Sequence, residues 1–351
     1  MRPLCVILGA RALNITHGRR SRNTGRVLPT LTDLLADAHV VSLPMRVRFR
    51  GITTREVVLI EGPAGWGEFG AFPEYDDAEA AQWLRSAIES AWEGPPPALR
   101  NSIPVNATVP ALDAAQVAGV LARFPGATTA KVKVAEPGQT LDDDLQRVAA
   151  VRELIPNVRV DANGGWTLDE ATRALEALTR DAPLEYAEQP CASVDDLVEL
   201  RRRLPQIRIA ADESIRRADD PMRVVRAGGL DVAVVKVAPL GGMRPLLAIG
   251  DQLGAHGIPL VVSSALDSAV GMNAGLAAAA ALPELELACG LGTGGFFVRD
   301  VAAPRELVAG SLDVEPVVPD MTAVRELAAL PEREQWWRDR VRRCYRLLAE
   351  N

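Results

Sequence analysis

The sequence of 351 residues predicts an α/β protein in which a (β/α)7β barrel follows a smaller α+β domain. Two observations carry this prediction. Short apolar strands alternate with helical segments from residue 105 to residue 288. In addition, ionisable residues recur at the ends of the middle strands, at intervals that match one βα unit of a barrel.

The small domain is predicted from the segments before residue 100, which begin with two strands and end with a helix. In order, these segments are strand Val40–Met45, turn Arg46–Thr54, strand Glu56–Glu61, glycine-rich loop 62–72 and helix Ala78–Trp92. Three prolines at positions 95–97 cannot continue a helix, so they mark the boundary with the next unit.

Eight predicted strands with seven helices between them indicate a parallel barrel rather than an open sheet. The strands are Val105–Val109, Ala130–Val134, Val158–Asp161, Tyr186–Glu188, Ile209–Asp212, Val232–Val237, Leu260–Ser263 and Glu286–Ala288. The helices are Ala114–Phe124, Leu141–Leu154, Leu168–Leu178, Val194–Leu204, Pro221–Ala227, Met243–His256 and Ala269–Leu282. We expect a poorly ordered extension at 1–27, the α+β domain at 28–100, the barrel at 101–303, and a segment at 304–351 that returns to the small domain.

Composition narrows the function classes. The net charge of −7 argues against general nucleic-acid binding, which needs a basic surface. No run of about 18 apolar residues occurs, so no membrane span is predicted. The four cysteines are far apart and include no Cys-x-x-Cys pair, so neither a zinc site nor a disulfide framework is predicted. We therefore expect a protein of the reducing cytoplasm.

Only three of the 39 lysine and arginine residues are lysines, namely Lys131, Lys133 and Lys236. Arginine can replace lysine as a surface charge, but not where an amine must lose its proton, because guanidinium stays charged at working pH. Lys131 and Lys133 share one face of a strand, and their repulsion is expected to lower their pKa values. We therefore predict that these lysines take part in proton transfer.

Five successive strands of the predicted barrel end in charged residues, which are Lys133, Asp161, Glu188, Asp212 and Lys236. The intervals between them are 28, 27, 24 and 24 residues. Carboxyl ends of barrel strands meet at one mouth, so we expect the five side chains to share a single site. One acid at a strand end is usually a helix cap, but three in register between lysines are not explained that way.

Three carboxylates without histidine or cysteine form a hard oxygen site, for which Mg²⁺ is the predicted ion and Mn²⁺ the alternative. Glu213 follows the third acid and is predicted to lie behind it. A metal that holds a substrate carboxylate stabilises the enediolate formed when the α-proton leaves, and a neutral lysine can take that proton. The predicted partner is a small-molecule carboxylate.

The motifs at these positions are Lys131-x-Lys133, Asp161-Ala162-Asn163-Gly164-Gly165-Trp166, Glu188-Gln189-Pro190, Ala211-Asp212-Glu213-Ser214 and Lys236. Together they resemble the enolase superfamily, in its muconate-lactonizing subgroup, from Leu28 to Leu330. The resemblance implies a TIM-like barrel with a capping domain, in which Lys133 is the base on one face of the substrate, Lys236 lies on the other face and Lys131 supports Lys133. The metal ligands are then Asp161, Glu188 and Asp212, with Asn163 and Glu213 around them.

Within this subgroup the chain most resembles the actinobacterial o-succinylbenzoate synthase family. The resemblance rests on the stretches Leu43–Gly51, Gly67–Phe72, Val105–Pro110 and Ser263–Asp267. It implies that a succinyl-hydroxycyclohexadiene carboxylate loses water to give o-succinylbenzoate for menaquinone synthesis. The substrate contacts that it implies are Phe49, Arg50, Gly51, Ser263, Ser264, Gly292 and Thr293.

Other activities stay open on the sequence. An N-acylamino-acid racemase uses the same two lysines as alternate acid and base, so the motifs are compatible with it. Dipeptide epimerases are disfavoured because the stretch 290–294 contains no acid, and mandelate-type members because they use histidine where Lys236 stands. A Schiff-base lyase would not need three carboxylates. A non-catalytic binding barrel is disfavoured because all five charged strand ends are present.

Overall fold

A computed structural model gives the fold of residues 28–49, 51–215 and 220–350. The predicted extension at residues 1–27 lies outside the described residues. Within the described ranges, an antiparallel sheet of three strands stands beside a parallel sheet of seven strands. No helix in these ranges is both long and apolar enough to cross a membrane.

The small domain is an antiparallel sheet in the order β1-β2-β3 with helices packed on it. Its elements are helix α1 (Leu31–Ala36), strands β1 (Ala38–Phe49), β2 (Ile52–Gly62) and β3 (Gly65–Phe69), and helix α2 (Asp77–Ile88), which continues as a π-helical turn at Glu89–Glu93. The apolar sides of the sheet and helices enclose a core that contains Trp83 and Phe69. This core is separate from the larger core of the barrel.

The predicted turn at Arg46–Thr54 is wrong, because most of it is strand. β1 continues to Phe49 and β2 begins at Ile52, so the two strands form a long hairpin. Three β-branched residues in a row from Ile52 favour this extended backbone. Gly51, with a φ of 78°, lies at the tip, where a left-handed conformation suits glycine.

The predicted glycine-rich loop 62–72 is also wrong in part, because it contains strand β3. Glycine is unfavourable within strands unless another segment comes very close. A Cβ atom on Gly67 would lie 2.1 Å from the carbonyl oxygen of Ala87 in α2. Close packing of the helix on the sheet therefore explains this glycine, which the sequence alone indicated as a turn.

The barrel begins with a short strand β4 (Ser102–Pro104), which precedes seven parallel strands paired in sequence order. These are β5 (Ala107–Val109), β6 (Thr129–Lys133), β7 (Asn157–Asp161), β8 (Tyr186–Glu188), β9 (Ile209–Ala211), β10 (Val232–Val235) and β11 (Leu260–Val262). The helices are α3 (Val117–Leu121), α4 (Leu141–Arg152), α5 (Leu168–Leu178), α6 (Val194–Arg203), α7 (Asp220–Ala227), α8 (Met243–Gly254) and α9 (Met272–Ala281). The first helix is shorter than predicted, because Ala114–Gln116 form a 3-10 turn and α3 ends at Leu121; Pro125 disfavours helical backbone only at Phe124.

Cys289 and Gly290 close the barrel by parallel bridges to the segment before β5 and to the end of β11. The predicted last strand Glu286–Ala288 is wrong. The strand-like pairing lies at Cys289 and Gly290 instead, and the carbonyl of Ala288 accepts a hydrogen bond of 2.7 Å from Nη1 of Arg159 inside the barrel. The predicted (β/α)7β barrel with an α+β domain is confirmed, with its last strand reduced to two bridges.

The C-terminal segment contacts both domains. Its elements are strand β12 (Ser311–Asp313), which pairs antiparallel with β4, and helices α10 (Met321–Glu326) and α11 (Pro331–Ala349). Trp337 of α11 is fully buried and donates to Oε2 of Glu56 at 2.9 Å. Arg340, 1% exposed, donates to the carbonyl oxygens of Ala71 and Phe72 at 3.0 Å each. The helix thus lies on the small domain, while the predicted domain bounds stay a prediction.

The core of the small domain also contains residues from barrel loops. Ala265 and Leu266, which follow β11, pack in the same apolar cluster as the strands of the small domain. Phe296 and Phe297, from the segment after the closing bridges, belong to that cluster as well. The small domain is therefore packed directly on loops at the carboxyl ends of the barrel strands.

Candidate active site

The five charged residues predicted to share a site lie at the carboxyl ends of five adjacent strands. β6, β7 and β8 end in Lys133, Asp161 and Glu188, which are neighbours across the sheet. Asp212 and Lys236 directly follow β9 and β10. All of these except Glu188 line one cleft, and Lys131, which contacts Glu188, lines it too.

Lys131 connects two of the acids. Its Nζ lies 2.8 Å from Oε1 of Glu188 and 3.1 Å from Oδ2 of Asp161. Burial alone would lower the pKa of Lys131, but the charges of Glu188 and Asp161 outweigh it and hold the pKa well above its usual value. The expectation that repulsion from Lys133 lowers the pKa of Lys131 is therefore wrong. Lys131 is a charged residue that organises the acids.

Lys133 and Lys236 stand on opposite sides of the cleft, because β6 and β10 are four strands apart in the barrel sheet. Nζ of Lys133 lies 2.6 Å from Oδ2 of Asp161 and 2.6 Å from Oδ1 of Asn163. Nζ of Lys236 contacts both carboxylate oxygens of Asp212. Their side chains are 14% and 13% exposed, so both lysines reach the cleft.

The three acids differ in their charge balance. Burial would raise the pKa values of Asp161 and Asp212, but the charges of Lys133 and Lys236, respectively, outweigh it and lower them. For Glu188, burial and the charge of Asp161 together outweigh the lysines and raise the pKa to about 7. The negative charge of the site is therefore least compensated at Glu188.

The three acids supply the kind of oxygen donor that a divalent cation takes. Oε2 of Glu188 is buried and has no hydrogen-bond partner among the described residues, and such an atom loses solvation that a cation would replace. Within residues 28–49, 51–215 and 220–350, no three acids, histidines or cysteines are close enough together to hold a metal. The carboxylates of Asp161 and Asp212 are turned to lysines instead. The ligand roles of the three acids stay a prediction.

The two residues predicted to lie around the ligands contact each other. Nδ2 of Asn163 donates to Oε1 of Glu213 at 3.1 Å, and the backbone N–H of Asn163 donates to Oδ1 of Asp161 at 3.1 Å. Asn163 has a φ of 47°, a left-handed conformation that asparagine adopts more easily than most residues. This turn brings its side chain between Lys133 and Glu213.

The predicted substrate contacts lie in three places. Ser263, Ser264 and Thr293 line the cleft, and Oγ of Ser264 lies 2.6 Å from Oγ1 of Thr293. Gly292 lines a neighbouring cavity, where a Cβ atom would lie 3.0 Å from the ring of Phe124. As a substrate contact, Gly292 stays a prediction.

The remaining predicted contacts lie at the hairpin tip of the small domain. Phe49 ends β1, and Gly51 is exposed in the turn that follows. Arg50 lies outside the described residues. The substrate-binding roles of these three residues stay predictions.

Sequence reasoning missed several residues that line the cleft. Thr108, Ala265 and Leu266 are the clearest cases. Thr108 could have been found, because it alternates with Asn106 in the predicted first strand and so shares its face. Nothing local marks the other two residues, which reach the cleft only through the path of the loop after β11.

A second group of acids lies where the small domain meets the barrel, and the sequence analysis did not predict it. Glu68 of β3 accepts a hydrogen bond of 3.1 Å from the backbone N–H of Ser268 and another from its hydroxyl. Burial and the nearby charge of Asp267 raise the pKa of Glu68 to about 8. Burial also raises the pKa of Asp300 to about 6. At neutral pH Glu68 is therefore mostly protonated, whereas Asp300 is mostly ionised.

Glu68 is expected to make the folded protein less stable as the pH rises from about 5 to about 8. Its pKa of about 8 in the folded protein lies above the usual value, so the folded state binds more protons than the unfolded state in this window. Glu68→Gln is expected to reduce this loss by on the order of 1–2 kcal/mol. Urea unfolding of the wild-type protein and of Glu68→Gln across this pH range measures the difference. Identical pH dependence of their unfolding free energies would contradict the raised pKa of Glu68.

Family comparisons agree with this geometry. Residues 113–319 match the family described as enolase C-terminal domain-like, and residues 40–91 match the family described as enolase N-terminal domain-like. Among solved structures, the muconate lactonizing enzyme from Pseudomonas putida superposes with a TM-score of 0.70 at 21% sequence identity, over 84% of this chain and 98% of that chain. An isomerase from Streptomyces coelicolor A3(2) gives a TM-score of 0.68 at 22% identity, over 85% and 97%. At these identities the superpositions show the fold alone.

Sequence relatives are much closer. An o-succinylbenzoate synthase from Mycobacterium marinum is 66% identical over 319 residues, which cover 91% of this chain and 96% of the relative. One from Mycobacterium bovis is 65% identical over 322 residues, covering 92% and 98%. The resemblance read from the strand-end motifs is confirmed. The chain therefore belongs to the enolase superfamily and, within it, to the o-succinylbenzoate synthase family.

Proposed function

We propose that this chain is a carbon–oxygen lyase that removes water from a succinyl-hydroxycyclohexadiene carboxylate to give o-succinylbenzoate, a step of menaquinone biosynthesis. The observation that carries the proposal is the 66% identity to an o-succinylbenzoate synthase along nearly the whole of both chains. The cleft supports the same reaction, since it offers two lysines on opposite sides of buried acids. The substrate is a small carboxylate, and action on it in the cytoplasm follows from the same assignment.

Lys133 is the proposed base. It removes the proton next to the substrate carboxylate, and the electron pair left behind forms an enediolate. The hydroxyl group on the neighbouring ring carbon then leaves as water, taking its proton from Lys133, and the ring becomes aromatic. Asn163, whose Oδ1 lies 2.6 Å from Nζ, fixes the amine in position for both transfers.

Lys236 is proposed to stay charged and to stabilise the enediolate from the opposite face. In the structure its ammonium group contacts Asp212 inside the cleft. Lys131 contacts Asp161 and Glu188 and fixes the positions of these two acids. Its raised pKa keeps Lys131 protonated during the reaction. Ser264 and Thr293, 2.6 Å apart at the rim, offer hydroxyl groups to polar atoms of the substrate.

Enzymes of this superfamily use a divalent metal, and we propose Mg²⁺, with Mn²⁺ as a substitute. Asp161, Glu188 and Asp212 would hold it, and the unpaired buried oxygen of Glu188 supports a cation there. When bound, the ion supplies positive charge that binds the substrate carboxylate and stabilises the enediolate. The lysine contacts of Asp161 and Asp212 would have to loosen for these carboxylates to take up the ion.

The assay that tests this function uses two substrates and two metal conditions. We expect formation of o-succinylbenzoate with Mg²⁺, and a loss on the order of 10³-fold or more with EDTA that added Mg²⁺ reverses. N-succinyl amino acids with Mg²⁺ test the racemase alternative through loss of optical rotation. Racemisation faster than dehydration would replace the proposed function, and full dehydration in EDTA would remove the metal from it.

A further inference from the structure

One buried arginine links the small domain to the loop that forms one side of the cleft. Arg55 belongs to β2, is 1% exposed, and reaches the backbone after β11. Its Nε donates to the carbonyl oxygen of Leu266 at 3.2 Å, and Nη2 lies 3.5 Å from that of Ala265. Nη2 also donates to the carbonyl of Gly70 within its own domain, and the guanidinium lies 4.3 Å from the ring centroid of Phe72.

The loop that Arg55 contacts has an unusual backbone. Leu266 has a φ of 60°, a left-handed conformation that is unfavourable for a residue with a Cβ. Leu266 and Ala265 line the cleft beside Ser263 and Ser264. A strained conformation at this place persists only when neighbouring groups hold it, and the two carbonyl groups next to the strain are those that face Arg55.

Other contacts anchor the same loop through its N–H groups. Oδ2 of Asp267 accepts from the N–H of Ala265 at 3.2 Å, and Glu68 accepts from Ser268. Each of these acceptors satisfies an N–H group, whereas Arg55 satisfies carbonyl groups. Arg55 is therefore the donor from the small domain that acts on the part of the loop facing the cleft.

We infer that Arg55 is a positioning residue for the active site: its guanidinium holds the backbone of Ala265 and Leu266 so that the loop after β11 presents Ser264 and Leu266 to the substrate. The expected change in reaction rate rests on the proposed function. If the inference holds, the small domain contributes to catalysis by fixing a loop of the barrel in position. Lysine cannot replace this arginine, because one ammonium group does not reproduce the planar fork of donors.

Arg340 provides a matched control. It is also 1% exposed, and it donates to the carbonyl oxygens of Ala71, Phe72 and Tyr75 at 3.0, 3.0 and 2.6 Å. All three acceptors belong to the small domain. Arg55→Lys and Arg340→Lys therefore both remove a buried fork of donors, but only the first removes contacts with the loop of the cleft.

Steady-state kinetics of full-length variants, at a temperature where both are folded by circular dichroism, test the inference. We expect kcat/KM for dehydration to fall on the order of 10²-fold in Arg55→Lys and to stay within a few-fold of wild type in Arg340→Lys. Added guanidinium chloride at low concentration is expected to restore part of the rate in Arg55→Ala but not to raise the rate of Arg340→Ala. A rate near wild type in Arg55→Lys, or equal losses in both lysine variants, would overturn the inference.

Hydrogen exchange separates this inference from the proposed function, because it needs no substrate. In Arg55→Lys, the backbone amides of residues 264–268 are expected to exchange faster than in wild type, whereas in Arg340→Lys they are expected to keep the wild-type rate. Unchanged exchange in Arg55→Lys would overturn the inference even if the protein is an active synthase. If wild type forms no o-succinylbenzoate, the proposed function fails, and the exchange result still decides the role of Arg55.

Discussion

Replacing Lys133 by arginine is expected to abolish dehydration, with kcat reduced on the order of 10³-fold or more while the protein stays folded. Guanidinium keeps the positive charge beside Asp161 but cannot lose a proton at neutral pH. Lys236→Arg is expected to keep part of the activity, because a residue that only stabilises charge is replaced by another cation, with a loss from its altered position. The measurement is kcat with Mg²⁺ and the cyclohexadiene substrate.

The pair of variants also separates elimination from racemisation. A one-base elimination needs a neutral amine only at Lys133, whereas a two-base racemisation needs proton exchange at both lysines. Exchange of the substrate α-hydrogen with deuterated water reads out proton abstraction directly in each variant. Activity of Lys133→Arg near the wild-type rate would reject Lys133 as the base. Equal and complete loss in both variants would reject the asymmetric roles of the two lysines.

The second large effect is expected at the acids. Asp161→Asn, Glu188→Gln and Asp212→Asn should each weaken Mg²⁺ binding on the order of 10²-fold and remove most activity, because each takes a charged oxygen ligand from a hard-cation site. Glu188→Gln should be the most damaging to binding, since Glu188 has the unpaired buried oxygen. Calorimetric titration with Mg²⁺ measures the affinity without any substrate.

Asp144→Asn is the control for this experiment. Asp144 is 2% exposed, pairs with Arg147 at 2.8 Å and accepts from the N–H of Ala135 at 3.0 Å, so it is a buried barrel acid like the three predicted ligands. It is expected to bind Mg²⁺ with the wild-type affinity when folded. Unaltered affinity in any of the three ligand variants would remove that residue from the ligand set.

Side chains of the small domain bind the backbone of the barrel at the junction of the two domains. Arg55 and Glu68 contact the loop after β11, and Glu89 of the π-helical turn accepts hydrogen bonds from the N–H groups of Met243 and Arg244 at the start of α8. All three buried or partly buried groups come from the small domain and bind barrel backbone. We therefore expect the small domain to be fixed at this side of the cleft.

The barrel and the residues at its mouth could be predicted from local patterns in the sequence. Side-chain alternation in strands and the length of one βα unit are local properties, so the intervals from Lys133 to Lys236 were enough to bring five charged residues to adjacent strand ends. The scarcity of lysine pointed to Lys131 in the same way. These patterns need no knowledge of what packs against them.

Charge states and hydrogen bonds that join groups far apart in the chain could be seen only in the folded structure. Lys131 was expected to have a lowered pKa from its neighbour, yet the opposite follows from Glu188, 57 residues away, whose carboxylate lies 2.8 Å from Nζ. The barrel closes at Cys289 and Gly290 rather than at the predicted strand Glu286–Ala288, and Arg159, 129 residues away, donates to the carbonyl of Ala288. Glu68 meets Ser268 across 200 residues, a contact for which the sequence holds no local signal. Periodicity in the sequence predicts the face of a strand or helix on which a side chain lies. The pKa values and hydrogen bonds of that side chain depend on which other elements pack against this face.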